Sequence, residues 1–403
     1  MTVEFKMGFP PVGMNARLLT VNFVAKLLES PYIEIARFDP DGILIRAETQ
    51  NELVSAFNHA IKTIGEEFNK KLENGEIQDF FMHINDRGTF QKLTGQTVAK
   101  GARFCETLAK VLQRVNLTWN ELQKLGHMYI IEKPQEIILG GQELALPMEI
   151  LHERYEAKYE FLKGRGGRKI KFRGSHAWLY VLLSGFALGY GGFYGNEILQ
   201  VYLSENLLAE ENLSILKILV AQGSVMDIIT TLRTPPRPKI PYLLYVTCKV
   251  LRMLREKGLI NEFLKGKAVL EMDRIMVGRA VSLVEKMVLD LTSLLEKLNR
   301  IEEKVEYRGR SLLSWISNKA RKTIDLLRWG GPGYNAYAKL MTELYSVLQG
   351  SGDPLNLCYY ALREVAEFEA AELEKRSSFQ ANVYLRREAD TIRNLLEALI
   401  FVQ

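Results

Sequence analysis

Residues 163–195 read KGRGGRKIKFRGSHAWLYVLLSGFALGYGGFYG, and the two halves of this stretch decide how the chain divides. Lys163 to Arg173 carries six cations and three glycines with no acid. It lacks an apolar face, and its glycines disfavour a helix, so it reads as a basic joint that orders on a phosphate backbone. The second half, from Ala177 to Phe193, is apolar and follows basic charge, as a membrane span does. Glycines at 185, 189, 191, 192 and 195 interrupt it. They leave about 13 helical residues where a span needs about 20. The stretch predicts a buried helix running into a glycine-rich turn; a membrane-associated scaffold is the alternative.

Before this joint the pattern mixes strands and helices. Residues 32–37 and 43–46 flank Asp39-Pro40-Asp41-Gly42, whose Asp-Gly pair suits a tight hairpin. Leu53, Phe57, Ile61, Ile64 and Phe68 have helical spacing, and Gly75 closes that segment. Residues 77–84 read as extended, 98–115 as helical, and 136–146 as a hairpin turning at Gly140-Gly141. From about Ser175 the pattern is helical throughout. Helices are expected near 177–188, 210–232, 242–257, 268–305, 311–329, 334–349, 355–376 and 380–401. Val284, Met287, Leu291, Leu294, Leu298, Ile301 and Val305 form a narrow seam suited to bundle packing. The expected fold is an α+β N-terminal domain over 1–165 followed by an all-α helical-bundle domain over 166–403, predominantly helical overall.

The chain has 403 residues, 47% hydrophobic and 25% charged, which excludes collagen-like and broadly disordered classes. Its net charge of +5 says less than where the cations lie. Three well-separated cysteines and five histidines without a CxxC pair argue against a disulfide framework and a structural zinc site. Met1 to Pro11 lacks the features of a signal peptide, so a cytoplasmic location is expected.

Active-site signatures fail one by one. Gly266-Lys267 lacks the upstream glycine of a phosphate-binding loop. Gly189 to Gly195 has a dinucleotide-like spacing with its third glycine one place late, after a helix rather than a strand. His152-Glu153 is followed at 156 by Glu, not by a second His. No catalytic residue, metal or cofactor is therefore assigned. A divergent metal-dependent nuclease is the alternative among enzymes.

The basic clusters are more informative. After Lys163, Arg165, Arg168, Lys169, Lys171 and Arg173 comes a second, from Arg233, Arg237 and Lys239 to Lys249, Arg252 and Arg255, without an acid. A third comprises Arg308, Arg310, Lys319, Arg321, Lys322 and Arg328, opposed only by Asp325. Phe172, Trp178, Tyr242, Tyr245, Trp315 and Trp329 interleave with them. Cations neutralise phosphates, and aromatic or guanidinium planes stack on unpaired bases. One such run alone is as readily a solvated helix face; three in a balanced chain point to nucleic acid. Base-edge reading needs rigid loops, for which Asn15, Arg17 and Gln142 are the candidates.

This layout resembles the large subunit of archaeal type I-A CRISPR surveillance (Cascade) complexes. The resemblance rests on Lys163 to Gly195 and on the terminal bundle from Arg308 to Gln403. The paired CxxC zinc motif of some relatives is missing, which places the likeness with the zinc-free branch. The resemblance implies a non-catalytic DNA- and RNA-binding role in antiviral defence. The N-terminal domain would contact the guide RNA end and read the protospacer-adjacent motif on target double-stranded DNA. The helical domain would hold the opened strands of the R-loop, and the assembly, with its other subunits, would recruit a helicase–nuclease.

Changing Arg165, Arg168, Lys169 and Lys171 to Ala is expected to weaken DNA binding and flatten its salt dependence. Six phosphate contacts would give a log–log slope of about −5. A slope that does not move with the four substitutions would exclude this role for the joint.

Overall fold

The computed structural model describes residues 2–11, 14–39, 41–131, 136–147, 150, 171–203, 223, 226, 229–230, 239–265, 269–277, 281–306, 311–329, 331, 333–375 and 377–400. It is a mixed α+β structure in which helices predominate. Two units pack within themselves: Met1–Arg233 with Val269–Leu289, and Thr234–Ala268 with Asp290–Gln403. The boundary expected at 165/166 falls among residues outside those described.

In the first unit the chain runs β1 (Val3–Gly8), α1 (Asn15–Leu27), β2 (Glu34–Asp39), β3 (Gly42–Ala47) and α2 (Gln50–Glu73). The expected hairpin joins β2 to β3, and β1 pairs antiparallel with the other edge of β3. Thr49 and Glu52 form a reciprocal capping box that starts α2. Its apolar face, Leu53, Phe57, Ile61, Ile64 and Phe68, is buried as the spacing predicts. Next come α3 (Arg87–Thr94), α4 (Phe104–Gln113) and α5 (Trp119–Gln123).

The second sheet corrects the expected 136–146 hairpin. β4 (Met128–Ile131), β5 (Glu136–Leu139), β6 (Leu144–Ala145) and β7 (Lys171–Gly174) lie in the order β4-β5-β7-β6. β7, the last part of the basic joint, inserts between the two presumed hairpin strands and runs parallel to β5. Gly140 turns the chain at φ +67°, where a side chain would also strike the Lys124 carbonyl.

The apolar stretch forms α6 (His176–Gly189), started by the Ser175 hydroxyl accepting from the Trp178 N–H. Its 14 residues span about 21 Å, short of the ~30 Å hydrocarbon core of a bilayer. Among the described residues no helix is long and apolar enough to cross a membrane. Trp178, Leu179, Val181, Leu182, Leu183 and Phe186 are buried, each contributing about 1.5–3 kcal/mol. α6 packs on α1 so closely that a Cβ at Gly185 would sit 1.9 Å from the Leu19 carbonyl oxygen.

The glycine-rich segment after α6 is a strand, not a turn. β8 (Tyr190–Tyr194), β9 (Glu197–Leu203), β10 (Val269–Val277) and β11 (Val281–Asp290) form a third sheet in that order. The expected helix over 268–305 therefore begins only after residue 291. Val284, placed in the helical seam, is 40% exposed on β11, and buried Met287 and Leu289 alternate with exposed Val288. Arg274 on β10 is held by Glu285 on β11 at 2.6 Å and by Glu197 on β9. The expected helix over 210–232 lies almost wholly outside the described residues.

Apart from Asp290, which ends β11, the regular elements of the second unit among the described residues are helices: α7 (Lys239–Lys257), α8 (Ile260–Lys265), α9 (Thr292–Glu306), α10 (Leu312–Trp329), α11 (Tyr334–Leu348), α12 (Pro354–Tyr359), a π-helical turn (Tyr360–Ala366), α13 (Glu367–Glu374) and α14 (Ser378–Ile400). Leu291, Leu294, Leu298 and Ile301 of the expected seam are buried. Glu302 on α9 accepts from the Leu312 and Leu313 N–H groups at 2.9 and 3.1 Å, so its carboxylate caps α10.

Asn22 of α1 donates to the carbonyls of Gly185 and Val201 at 3.2 and 3.0 Å and accepts from the Leu203 N–H at 2.9 Å. Truncation would remove these three buried hydrogen bonds, at about 0.5–1.5 kcal/mol each. Asn22→Ala is expected to lower the stability of the first unit by about 1.5–4.5 kcal/mol. Urea unfolding of the full chain checks this; a loss under about 1 kcal/mol would contradict it.

Candidate nucleic-acid interface

Lys163, Arg165, Arg168, Lys169, Arg233, Arg237, Arg308 and Arg310 lie outside the described residues, as does the side chain of Arg328 at the end of α10. Lys171 and Arg173 belong to β7, a strand interior to its sheet. Strand geometry brings Arg173 to the turn that holds Gln142: its Nη1 donates to the Gln142 carbonyl at 3.4 Å, and Nε lies 3.4 Å from Glu136. Gln142 is exposed there. Lys124 and Glu143 pair at 2.6 Å beside the same turn, so local charge is nearly balanced.

Asn15 and Arg17 are interior residues, which corrects their placement on a reading loop. Both fall within α1, whose first residue is Asn15. Asn15 donates to the Tyr202 hydroxyl at 2.6 Å. Arg17 donates to the Pro10 carbonyl at 3.2 Å and lies over the Phe9 ring. Neither side chain is placed to reach a base edge.

The second and third clusters meet within the second unit. α7 presents Tyr245, Lys249 and Arg252 at successive helical turns, and α10 presents Ser314, Asn318 and Arg321 with the same 4-then-3 spacing. Arg252 Nη2 donates to Ser314 Oγ at 3.1 Å, and the Tyr245 ring takes Lys249 Nζ at 5.8 Å and Arg321 Cζ at 5.7 Å from its centroid. These cross-contacts set the two helices antiparallel with their basic stripes side by side. Arg321 pairs with Asp325 at 3.0 Å, half exposed. Among the described residues no carboxylate pairs with Lys249 or Arg252. Ser314 and Asn318 add polar groups between the cations. Their signal was present in the sequence, one and two turns before Arg321, but the choice of facing helix was not. Lys239 is exposed at the start of α7.

On the other side of α10 the cations have a different fate. Lys319, 7% exposed, lies 2.5 Å from Glu369 and 3.2 Å from Glu388, and it donates to the Tyr384 hydroxyl at 2.8 Å. Trp315 Nε1 donates to Glu388 at 2.9 Å, which makes this tryptophan a core residue rather than a stacking surface. Lys322 pairs with Glu369 at 2.8 Å, and Tyr337 and Tyr384 also donate to that carboxylate. Lys322 is therefore half committed to internal pairing. A cleft of about 410 Å³ borders this hub, lined by Lys322, Glu369, Glu372, Leu373, Lys375 and Tyr384. Its two lysines already face Glu369 and Glu372.

Burial alone would raise the Glu369 carboxyl; the Lys319 charge and the hydrogen bonds from Lys319, Lys322 and Tyr337 outweigh it and hold it below its ordinary 4.5. Burial and the bond to Glu369 push the Tyr337 hydroxyl up, keeping it a neutral donor. Among the described residues no group of three or more His, Cys, Asp or Glu side chains is arranged to hold a metal ion. Comparisons with protein-family models, curated proteins and solved structures find no match.

A carboxyl whose folded value is depressed stabilises the fold above its unfolded value, and that contribution disappears as pH falls through the folded value. Glu369→Gln is expected to cost about 3 kcal/mol at neutral pH, near the lower limit for a broken buried pair because Lys319 keeps Glu388. The difference from wild type should narrow as pH drops below 4.5. Denaturant titrations at neutral and acid pH check this; a pH-independent difference would remove the ionised carboxylate from the account.

Proposed function

We propose that the chain is a non-catalytic nucleic-acid-binding protein, and more specifically the large subunit of a type I-A CRISPR surveillance complex. In that role it contacts guide RNA and target double-stranded DNA, reads the protospacer-adjacent motif, stabilises the opened DNA and helps recruit a helicase–nuclease alongside the other subunits. The observation that carries the nucleic-acid reading is the α7–α10 face. There two basic runs far apart in sequence converge with Tyr245, and Lys249 and Arg252 keep their charge uncompensated by carboxylates among the described residues. Folding tends to pair buried cations internally, as at Lys319; cations left on one shared face suit a polyanion. The CRISPR assignment rests on the resemblance of Lys163 to Gly195 and of the terminal bundle.

Counterion release makes such binding salt-dependent, with a slope that changes by about 0.9 per phosphate contact on duplex DNA. Sequence choice would then come from guide pairing, the protein supplying shape recognition and charge.

The test is affinity purification of the tagged full chain from its native cells with sequencing of bound RNA. Short RNAs sharing one repeat-derived end are expected, with the partner subunits identified by mass spectrometry. A chain recovered free of nucleic acid would overturn the proposal. In parallel, changing Lys249, Arg252 and Arg321 to Gln should weaken duplex binding and reduce the salt slope by about 2–3. An unaltered slope would move the contact away from the α7–α10 face.

A further inference from the structure

We propose that Phe81 and Arg103 form a stacking platform for an unpaired base of single-stranded nucleic acid. This rests on the nucleic-acid reading above and gives the first unit a contact of its own. The two residues sit opposite each other on a short antiparallel bridge. The Met82 N–H donates to the Ala102 carbonyl at 3.0 Å and the Phe104 N–H to the Phe80 carbonyl at 2.9 Å, so both backbones are fixed on either side of the pair. In this register the opposed residues make the close, non-hydrogen-bonded pair of an antiparallel ladder, and both side chains leave the same face.

The inward neighbours anchor the bridge. Phe80, Met82 and Phe104 are buried, and Phe80 stacks on Phe104 at 4.9 Å and on Phe193 at 5.5 Å. Phe81 points outward and is 63% exposed, so it adds little to that core. The Arg103 guanidinium lies over its ring at 4.3 Å, tethered by Nη1 donating to the Asp79 carbonyl at 3.3 Å. The Asp79 carboxylate is engaged elsewhere: it accepts from the Phe80, Cys105 and Glu106 N–H groups, the last two in the first turn of α4. Arg103 is thus tethered through the Asp79 carbonyl and not through its carboxylate. The segment from Arg87 to Cys105 carries Arg87, Lys92, Lys100 and Arg103 and no acid. Among the described residues none of the four pairs with a carboxylate.

A rigid, exposed ring with a guanidinium laid on it offers a base a π-surface and its phosphate a cation. An apolar protein partner would cover Phe81 and exposed Ile84 but would bury the guanidinium without a counter-charge. A nucleotide satisfies both groups together. Nothing on the platform reads base edges, so the contact is tolerant of sequence.

The test uses the full chain and a short single-stranded oligonucleotide carrying 2-aminopurine, whose fluorescence falls on stacking. Quenching is expected with wild type. Phe81→Ala and Phe81→Leu should abolish it and weaken single-strand binding about fivefold or more, whereas Phe81→Trp should retain both. Arg103→Gln should also flatten the single-strand salt slope by about 0.7, and duplex binding should not respond to the Phe81 variants. Because the ring is exposed, thermal unfolding of each variant should match wild type. Single-strand affinity and quenching unchanged in Phe81→Ala and Phe81→Leu would overturn the platform while leaving the nucleic-acid reading intact. Loss of a co-purifying protein subunit from Phe81→Ala with unchanged oligonucleotide binding would overturn it in favour of protein docking. Failure of wild type to bind any oligonucleotide would overturn the nucleic-acid reading itself, and the platform with it.

Discussion

Asn22 and Gly185 together impose the constraint around which the first unit is built. The missing side chain at Gly185 lets α6 approach the backbone of α1, and at that contact the carbonyl of Gly185, within the helix, takes a further donor. Asn22 supplies it and, with its remaining polar atoms, joins Val201 and Leu203 of β9. One buried amide thus fixes two helices and a strand at a single point. A buried polar group is tolerated only when its capacity is met, and here all its partners are backbone groups. The position of β9 then sets the sheet onto which β10 and β11 are added from far along the chain.

The second unit shows how a basic run is sorted by folding. Lys319 and Arg321 are two residues apart on α10, so they leave the helix in different directions. Lys319 enters the hub of Glu369, Glu388 and Tyr384, where desolvation makes pairing obligatory. Arg321 reaches the α7 side, beside Tyr245 and Lys249. The same spacing therefore yields one structural cation and one candidate ligand cation. The buried hub also explains why the α10 face can carry exposed charge: the helix is anchored by its opposite side, independently of what the α7–α10 face meets.

Charge in the first unit follows the same logic at smaller scale. Arg274 is consumed by Glu197 and Glu285 on neighbouring strands, and Arg17 by the Pro10 carbonyl and the Phe9 ring. Arg103 differs because it bonds to the carbonyl of Asp79, whose carboxylate accepts instead from the N–H groups of Phe80, Cys105 and Glu106. Whether an arginine stays available is decided by competition for carboxylates, and that competition is settled in three dimensions.

The sequence by itself determined the local features: the β2–β3 hairpin at Asp41-Gly42, the amphipathic face of α2, the buried helix from Ala177 and the helical character of 311–329 and 334–349. Each is written in contacts within a few residues, where period, caps and turn chemistry act directly. It misjudged the 269–290 segment because Val, Ile, Leu and Met at mixed spacing fit a helix seam as well as two strands. What makes them strands is β9, some 70 residues earlier in the chain. The 136–146 hairpin failed for the same reason, since a distant strand took the place between its arms. The candidate site divides likewise. Composition marked the basic runs, but only packing chose which cations were paired with carboxylates, placed Asn15 and Arg17 in the core, and turned Phe81 and Arg103 outward on one face. Pairing energies depend on distance and burial, and neither is a property of the linear chain.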